Sequence, residues 1–175
     1  MKTNNITQSA LSLALIVICF LLFRGVTNIL NSILVPLVLY LNIRGQSWKV
    51  YITTMLGLVL LSILFFKHQI IFSILYGILA LLLLKTIKGK KPFLIKVSIL
   101  SIGAWVGFIT AILVTDFILG TKIMTALLSI AGGLYAGVIV LIAVEALIVG
   151  TLLVLITPTI ENRLDKTQDI RERSC

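Results

Sequence analysis

Ionisable side chains are scarce within the apolar runs of this chain, so each one that occurs there calls for an explanation. Glu145 sits about eleven residues into the run 134–156, or roughly 16 Å at the helical rise. Asp116 lies nearer the end of the run 93–119. A carboxylate at the centre of a membrane helix costs on the order of 2.5–3.5 kcal/mol on insertion scales, so it faces protein or water. Such a pair suits the binding of a cationic or hydrogen-bonding ligand, or the relay of protons. An interhelical hydrogen bond to Ser, Thr or Tyr is the plain structural alternative. Lys122 and Tyr135 reach the same region if the stretch 120–133 folds inward. Trp105 either lines a cavity there or packs, and Asn28 and Asn31 need a partner or water. The candidate substrate-binding set is therefore Glu145, Asp116, Lys122, Tyr135, Trp105 and Asn28.

Other chemistries find no residues to carry them. His68 is the single histidine, Cys19 lies inside an apolar run and Cys175 is the last residue, so neither a metal centre nor a disulfide is expected. The chain contains no nucleophile elbow, Walker A loop or His-Glu-x-x-His motif. Nothing around Asp116 or Glu145 supports an intramembrane acid protease. The expectation is a protein without catalytic residues, metal or cofactor, and not an enzyme.

The elements that must position these residues are membrane helices. The chain of 175 residues is 59% apolar and 12% charged, about half the charge density of an ordinary soluble domain. No period-two alternation of a β-barrel is present. The apolar runs predict an all-α integral membrane protein of six transmembrane helices in a compact bundle, over about residues 9–23, 26–43, 50–66, 70–84, 93–119 and 134–156. Arg24-Gly25 makes the first turn, and Pro36 kinks the second span. The first run is read as a retained span, because no small-x-small cleavage site follows its apolar core before Arg24. The segment 123–130 is too short to cross and reads as a re-entrant or interfacial helix. Thr157-Pro158 is expected to end the last span, dividing the chain into a membrane domain, 1–158, and a polar cytoplasmic tail, 159–175.

Charge fixes the orientation. Five lysines fall within residues 85–96, between two membrane-length runs. Basic loops stay on the cytoplasmic side. With six spans and both termini cytoplasmic, twelve basic residues lie inside and three outside, these being Arg24, Lys67 and Lys122. The net charge of +9 is thus a topology signal with attraction to anionic membrane lipid, not a nucleic-acid footprint. Localisation in a cell membrane, as a multi-pass protein, follows, and the resemblance described below implies a bacterial plasma membrane.

Small residues recur at four-residue spacing in Ala10-x-x-x-Ala14, Gly103-x-x-x-Gly107 and Gly133-x-x-x-Gly137. This spacing lets helix backbones approach closely. Both glycine pairs are expected to pack within the bundle. The alanine pair suits docking of another membrane protein.

A short polar N-terminus entering Ala10–Ala14, six compact spans, a basic loop after the fourth and a Gly-rich entry to the sixth together resemble the S components of energy-coupling factor transporters. Related six-helix membrane families of Gram-positive bacteria share this layout. The resemblance covers nearly the whole chain and, apart from the alanine pair, is architectural. It implies that Ala10 and Ala14 contact a transmembrane coupling subunit and that separate ATPase subunits drive release. It further implies a vitamin or other small micronutrient bound from the outer side, between helices four to six and the loop after helix one. The chain departs from that pattern at Arg24-Gly25, where the family often has a longer gating loop. The alternative reading is a non-transporting scaffold or assembly factor, similar to the rod-shape membrane protein. Capture of a ligand requires a polar outward cavity lined by Glu145 or Asp116, whereas a scaffold requires a filled core.

Overall fold

Apolar side chains run all round the long helices rather than along one stripe, which is the pattern of a helix with protein on one side and lipid on the other. The structure, a computed structural model, describes the backbone of residues 3–23, 28–45 and 48–173 and the side chains of residues 6–23, 29–44 and 48–163. Among the described residues it is all-helical, with α1 (Thr3–Leu22), α2 (Asn28–Gly45), α3 (Trp48–Phe65), α4 (Ile70–Lys88), α5 (Phe93–Leu119), α6 (Ile123–Ile130) and α7 (Tyr135–Arg173). A 3₁₀ turn over Lys67–Gln69 leads into α4.

Four of these helical stretches are long and apolar enough to cross a membrane: Trp48–Phe65, Lys67–Lys88, Phe93–Leu119 and Tyr135–Arg163. Two shorter apolar stretches, Ile6–Leu22 and Ile29–Arg44, belong to α1 and α2. On α5, Leu100, Ala104 and Phe108 are buried, while Ile102, Val106, Leu113 and Phe117 point outward. Phe117 is 90% exposed, which only an apolar surrounding tolerates along a whole bundle surface.

Helices α2 and α4 form the centre. α2 contacts α1, α3, α4 and α7, and α4 contacts α2, α3, α5 and α7. Accordingly Val35, Leu39 and Tyr40 of α2 and Tyr76, Leu79 and Leu83 of α4 are fully enclosed. Hydrogen bonds between helices add specificity to this packing. Ser12 Oγ donates to Asn42 Oδ1 at 2.9 Å, Asn42 Nδ2 donates to Thr54 Oγ1 at 3.4 Å, and Ser62 and Ser73 share a bond of 2.8 Å. Tyr51 donates to the carbonyl of Gly77 at 3.1 Å, tying α3 to α4.

Close backbone approach depends on glycine. A Cβ on Gly103 would meet Leu82, and one on Gly107 would meet Leu75, so this pair seats α5 against α4. Gly150 of α7 presses on the backbone of Ser101, whose N and Cα lie 2.9 and 3.1 Å from where a Cβ would stand. Gly133 differs from expectation. It lies before α7 in a turn at φ 82° with open space around it, so Gly133 and Gly137 do not form one helix-packing face.

The expectation that Thr157-Pro158 closes the last helix is also corrected: α7 continues through Pro158 to Arg173. Proline removes one N–H and crowds the preceding turn. Thr157 Oγ1 donates back to Leu153 O at 2.6 Å within that turn, and the residues beyond are held from outside. Glu161 accepts hydrogen bonds from Tyr40 Oη and Arg44 Nε, the latter at 3.0 Å, which clamps α7 to the end of α2. Pro36 likewise sits within a continuous α2. The turn at Arg24-Gly25 lies outside the described residues.

Candidate functional site

The chain direction of the helices brings one set of ends together. The starts of α2, α4 and α7 and the end of α5 lie at the end of the bundle opposite the basic loop 85–96, where α6 packs against α5 and α7. A cavity of about 530 Å³ opens there. This is within the range of roughly 300–1,000 Å³ typical of small-molecule sites.

Each helix contributes for a local reason. From α2 come Ile29 and Ser32, from α4 Phe72, and from α5 Phe108 and Ile112. α6 supplies Ile123, Leu127 and Ile130. From α7 come Leu141, Ile142, Val144, Glu145 and Ile148. Leu141 and Ile148 share the side of α7 that carries Glu145, as the 3.6-residue period requires.

Among the described residues Glu145 is the only ionisable one in the wall, and it is partly buried. No hydrogen bond or ion pair reaches its carboxylate among the described residues. The fully buried Tyr76 lies within electrostatic range of it. Tyr76 is engaged with Ser32, whose Oγ donates to Tyr76 Oη at 3.4 Å. The polar end of the cavity is therefore one carboxylate and one serine hydroxyl with a tyrosine behind. Everything else is hydrocarbon. A mainly polar outward cavity was expected, and the lining is apolar apart from these groups.

Asp116 does other work. Its Oδ1 accepts from Thr121 Oγ1 and from the backbone N–H of Ile123 at 3.0 Å, and its Oδ2 accepts from the N–H of Met124 at 2.8 Å. These are the first amides of α6, which have no partner within their own helix. A carboxylate at that position satisfies them and is favoured by the helix dipole. Gly120, at φ 62°, ends α5 in the left-handed conformation and turns the chain so that this contact forms. Asp116 thus holds α6, and α6 walls the cavity, but Asp116 itself does not line it.

The remaining candidates separate. Lys122 is exposed at the start of α6, and Tyr135 is 67% exposed at the start of α7. Trp105 is half-buried against the core, with its indole Nε1 enclosed and without a partner among the described residues. None of the three lines the cavity. The side chain of Asn28 lies outside the described residues, while Asn31 is buried with its Oδ1 unpartnered. Of the five candidate substrate-binding residues whose side chains are described, only Glu145 lines the cavity. Sequence reasoning missed Ser32, Tyr76 and the two phenylalanines, because nothing in an apolar run marks which aromatic or hydroxyl faces a void.

Ala10 and Ala14 are both exposed on α1. Ser9, Ser12, Ile16 and Phe20 form the buried face of the same helix. The alanine pair therefore takes no part in packing within the bundle. Among the described residues, no cluster of three His, Cys, Asp or Glu side chains is placed to hold a metal ion. Searches against protein-family models, curated proteins and solved structures find no match to the chain.

Proposed function

We propose that this protein is a substrate-capturing membrane subunit, in which six helices cross the bilayer with both termini in the cytoplasm. A small molecule enters the cavity beside Glu145 from the outer side. The observation that carries this reading is the Glu145 carboxylate, unpaired among the described residues, in the wall of a mainly apolar cavity. A carboxylate left without an internal partner at membrane depth is costly, and a ligand offsets that cost when bound. The basic loop 85–96 lies at the opposite end of the bundle, in agreement with a cavity that faces outward. In this reading α1 and α2, of 20 and 18 residues, cross as the first two spans, and both lengths fall in the range a membrane helix needs.

The resemblance to S components of energy-coupling factor transporters gives the rest of the assembly. Energy comes from separate ATPase subunits through a transmembrane coupling subunit, docked where Ala10 and Ala14 face away from the bundle. A scaffold of similar fold requires a filled core at this end, and the cavity weighs against it.

Mass spectrometry of small molecules co-purifying with the detergent-solubilised protein tests the reading. Wild-type protein is expected to carry a compound that a cavity-filling Leu127→Trp variant lacks. A folded wild-type protein carrying nothing beyond what Leu127→Trp carries would overturn capture in favour of the scaffold.

A further inference from the structure

Resting on the capture reading, the composition of the cavity wall narrows the class of ligand. We propose that the cavity beside Glu145 takes a molecule with an apolar body and a single ammonium group, and excludes carboxylates and phosphates. Three features of the wall lead there. Apart from Glu145 and Ser32 it is hydrocarbon, so the body of the ligand must be apolar or leave its own polar groups unsatisfied. Among the described residues the one charge in the lining is negative, and no lysine or arginine stands beside it to receive an anion. Phe72 and Phe108 add two aromatic rings, and aromatic faces attract cations.

The polar end is matched in capacity as well as in sign. An ionised carboxylate only accepts hydrogen bonds, and an ammonium group only donates them. A neutral alcohol satisfies Glu145 less well, because charge-assisted bonds are roughly twice as strong as neutral ones. A carboxylate ligand would set two like charges side by side in an apolar wall. The ammonium group can belong to a free amphiphilic amine or to the headgroup of an amine lipid, since both present the same chemistry to Glu145.

The test uses the full chain in maltoside micelles free of amine lipid, titrated with phenylbutylamine, phenylbutanol and phenylbutyrate. The amine is expected to bind about tenfold or more tightly than the alcohol, the value of one hydrogen bond to a charged group. Phenylbutyrate is expected not to bind. Glu145→Gln keeps the shape of the site and should abolish the preference for the amine while leaving the alcohol bound. Leu127→Trp should remove binding of both. Adding phosphatidylethanolamine separates the two sources: displacement of phenylbutylamine assigns the ammonium to a lipid headgroup, and no displacement assigns it to a free amine. Equal binding of amine and alcohol to wild type, or a preference that survives in Glu145→Gln, would overturn the ligand class while leaving a capture site in place. Absence of binding by all three probes would overturn both the class and the capture reading.

Discussion

Tyr40, buried at the centre of the bundle on α2, donates its hydroxyl hydrogen bond to the carboxylate of Glu161 on α7, 121 residues further along the chain. Arg44, one turn on from Tyr40, reaches the same carboxylate oxygen. Together they fasten the segment of α7 beyond Pro158 to the bundle. Tyr40→Phe removes the donor and leaves the carboxylate with Arg44 alone. The expected cost is about 1.5–3 kcal/mol, the range for a hydrogen bond to a charged group. Thermal unfolding in detergent measures it, and an unchanged midpoint would mean that the clamp contributes nothing.

Gly150 and Gly103 both sit at close helix contacts, yet alanine should affect them unequally. At Gly150 the new methyl meets the backbone N and Cα of Ser101, which cannot yield unless α5 and α7 separate. At Gly103 it meets only the end of the Leu82 side chain, which can rotate away. Gly150→Ala is expected to destabilise by about 1–3 kcal/mol, as overpacking does, and Gly103→Ala by clearly less. Equal effects in thermal unfolding would contradict the difference in geometry.

Asp116 is expected to matter for the wall of the cavity and not for its chemistry. Asp116→Ala strips three hydrogen bonds from the start of α6 at an expected cost of about 0.5–2 kcal/mol, the range for loss of a cap. Limited proteolysis should then cut between α5 and α7 sooner, with the four long helices still protected. Global loss of protection would show that Asp116 supports the whole bundle.

How far the sequence revealed these arrangements depended on the kind of signal involved. Glu145 stood out because a lone carboxylate in an apolar run has no ordinary reason to be there. The basic loop was equally plain. Asp116 was visible as an ionisable residue, but its role lay in the spacing from Asp116 through Thr121 to the short helix at Ile123, a cap reached from the preceding helix. Glu161 carries no such signal, because Pro158 reads as a helix end in the sequence while α7 runs on through it. Its three-dimensional partners, Tyr40 and Arg44, are remote in sequence, although Arg44 and Glu161 at the same end of the bundle were a charge pair waiting to be matched. The cavity wall could not be read at all, since long apolar runs look alike whether they face lipid, core or void.

Ala10 and Ala14 lie on the outward side of α1, away from the bundle. Replacing either with Leu should block close approach of a partner helix and leave the fold intact. Co-purification of membrane partners, alongside a thermal unfolding curve, checks this. Retention of all partners by a folded Ala10→Leu, Ala14→Leu double variant would remove this face from the docking account.

The central claim is that Glu145 stands in its cavity for a ligand and not for the fold. Its carboxylate makes no internal hydrogen bond or ion pair among the described residues, so Glu145→Leu removes a polar group that the protein does not itself satisfy. Truncating an unsatisfied group to a well-fitting apolar one is neutral or stabilising. The decisive measurement is paired: thermal unfolding and mass spectrometry of co-purified small molecules, on wild type, Glu145→Gln and Glu145→Leu. The predicted result is that both variants lose the bound compound while unfolding at or above the wild-type temperature. Variants that unfold at lower temperature while retaining the compound would make Glu145 a structural residue and contradict the account.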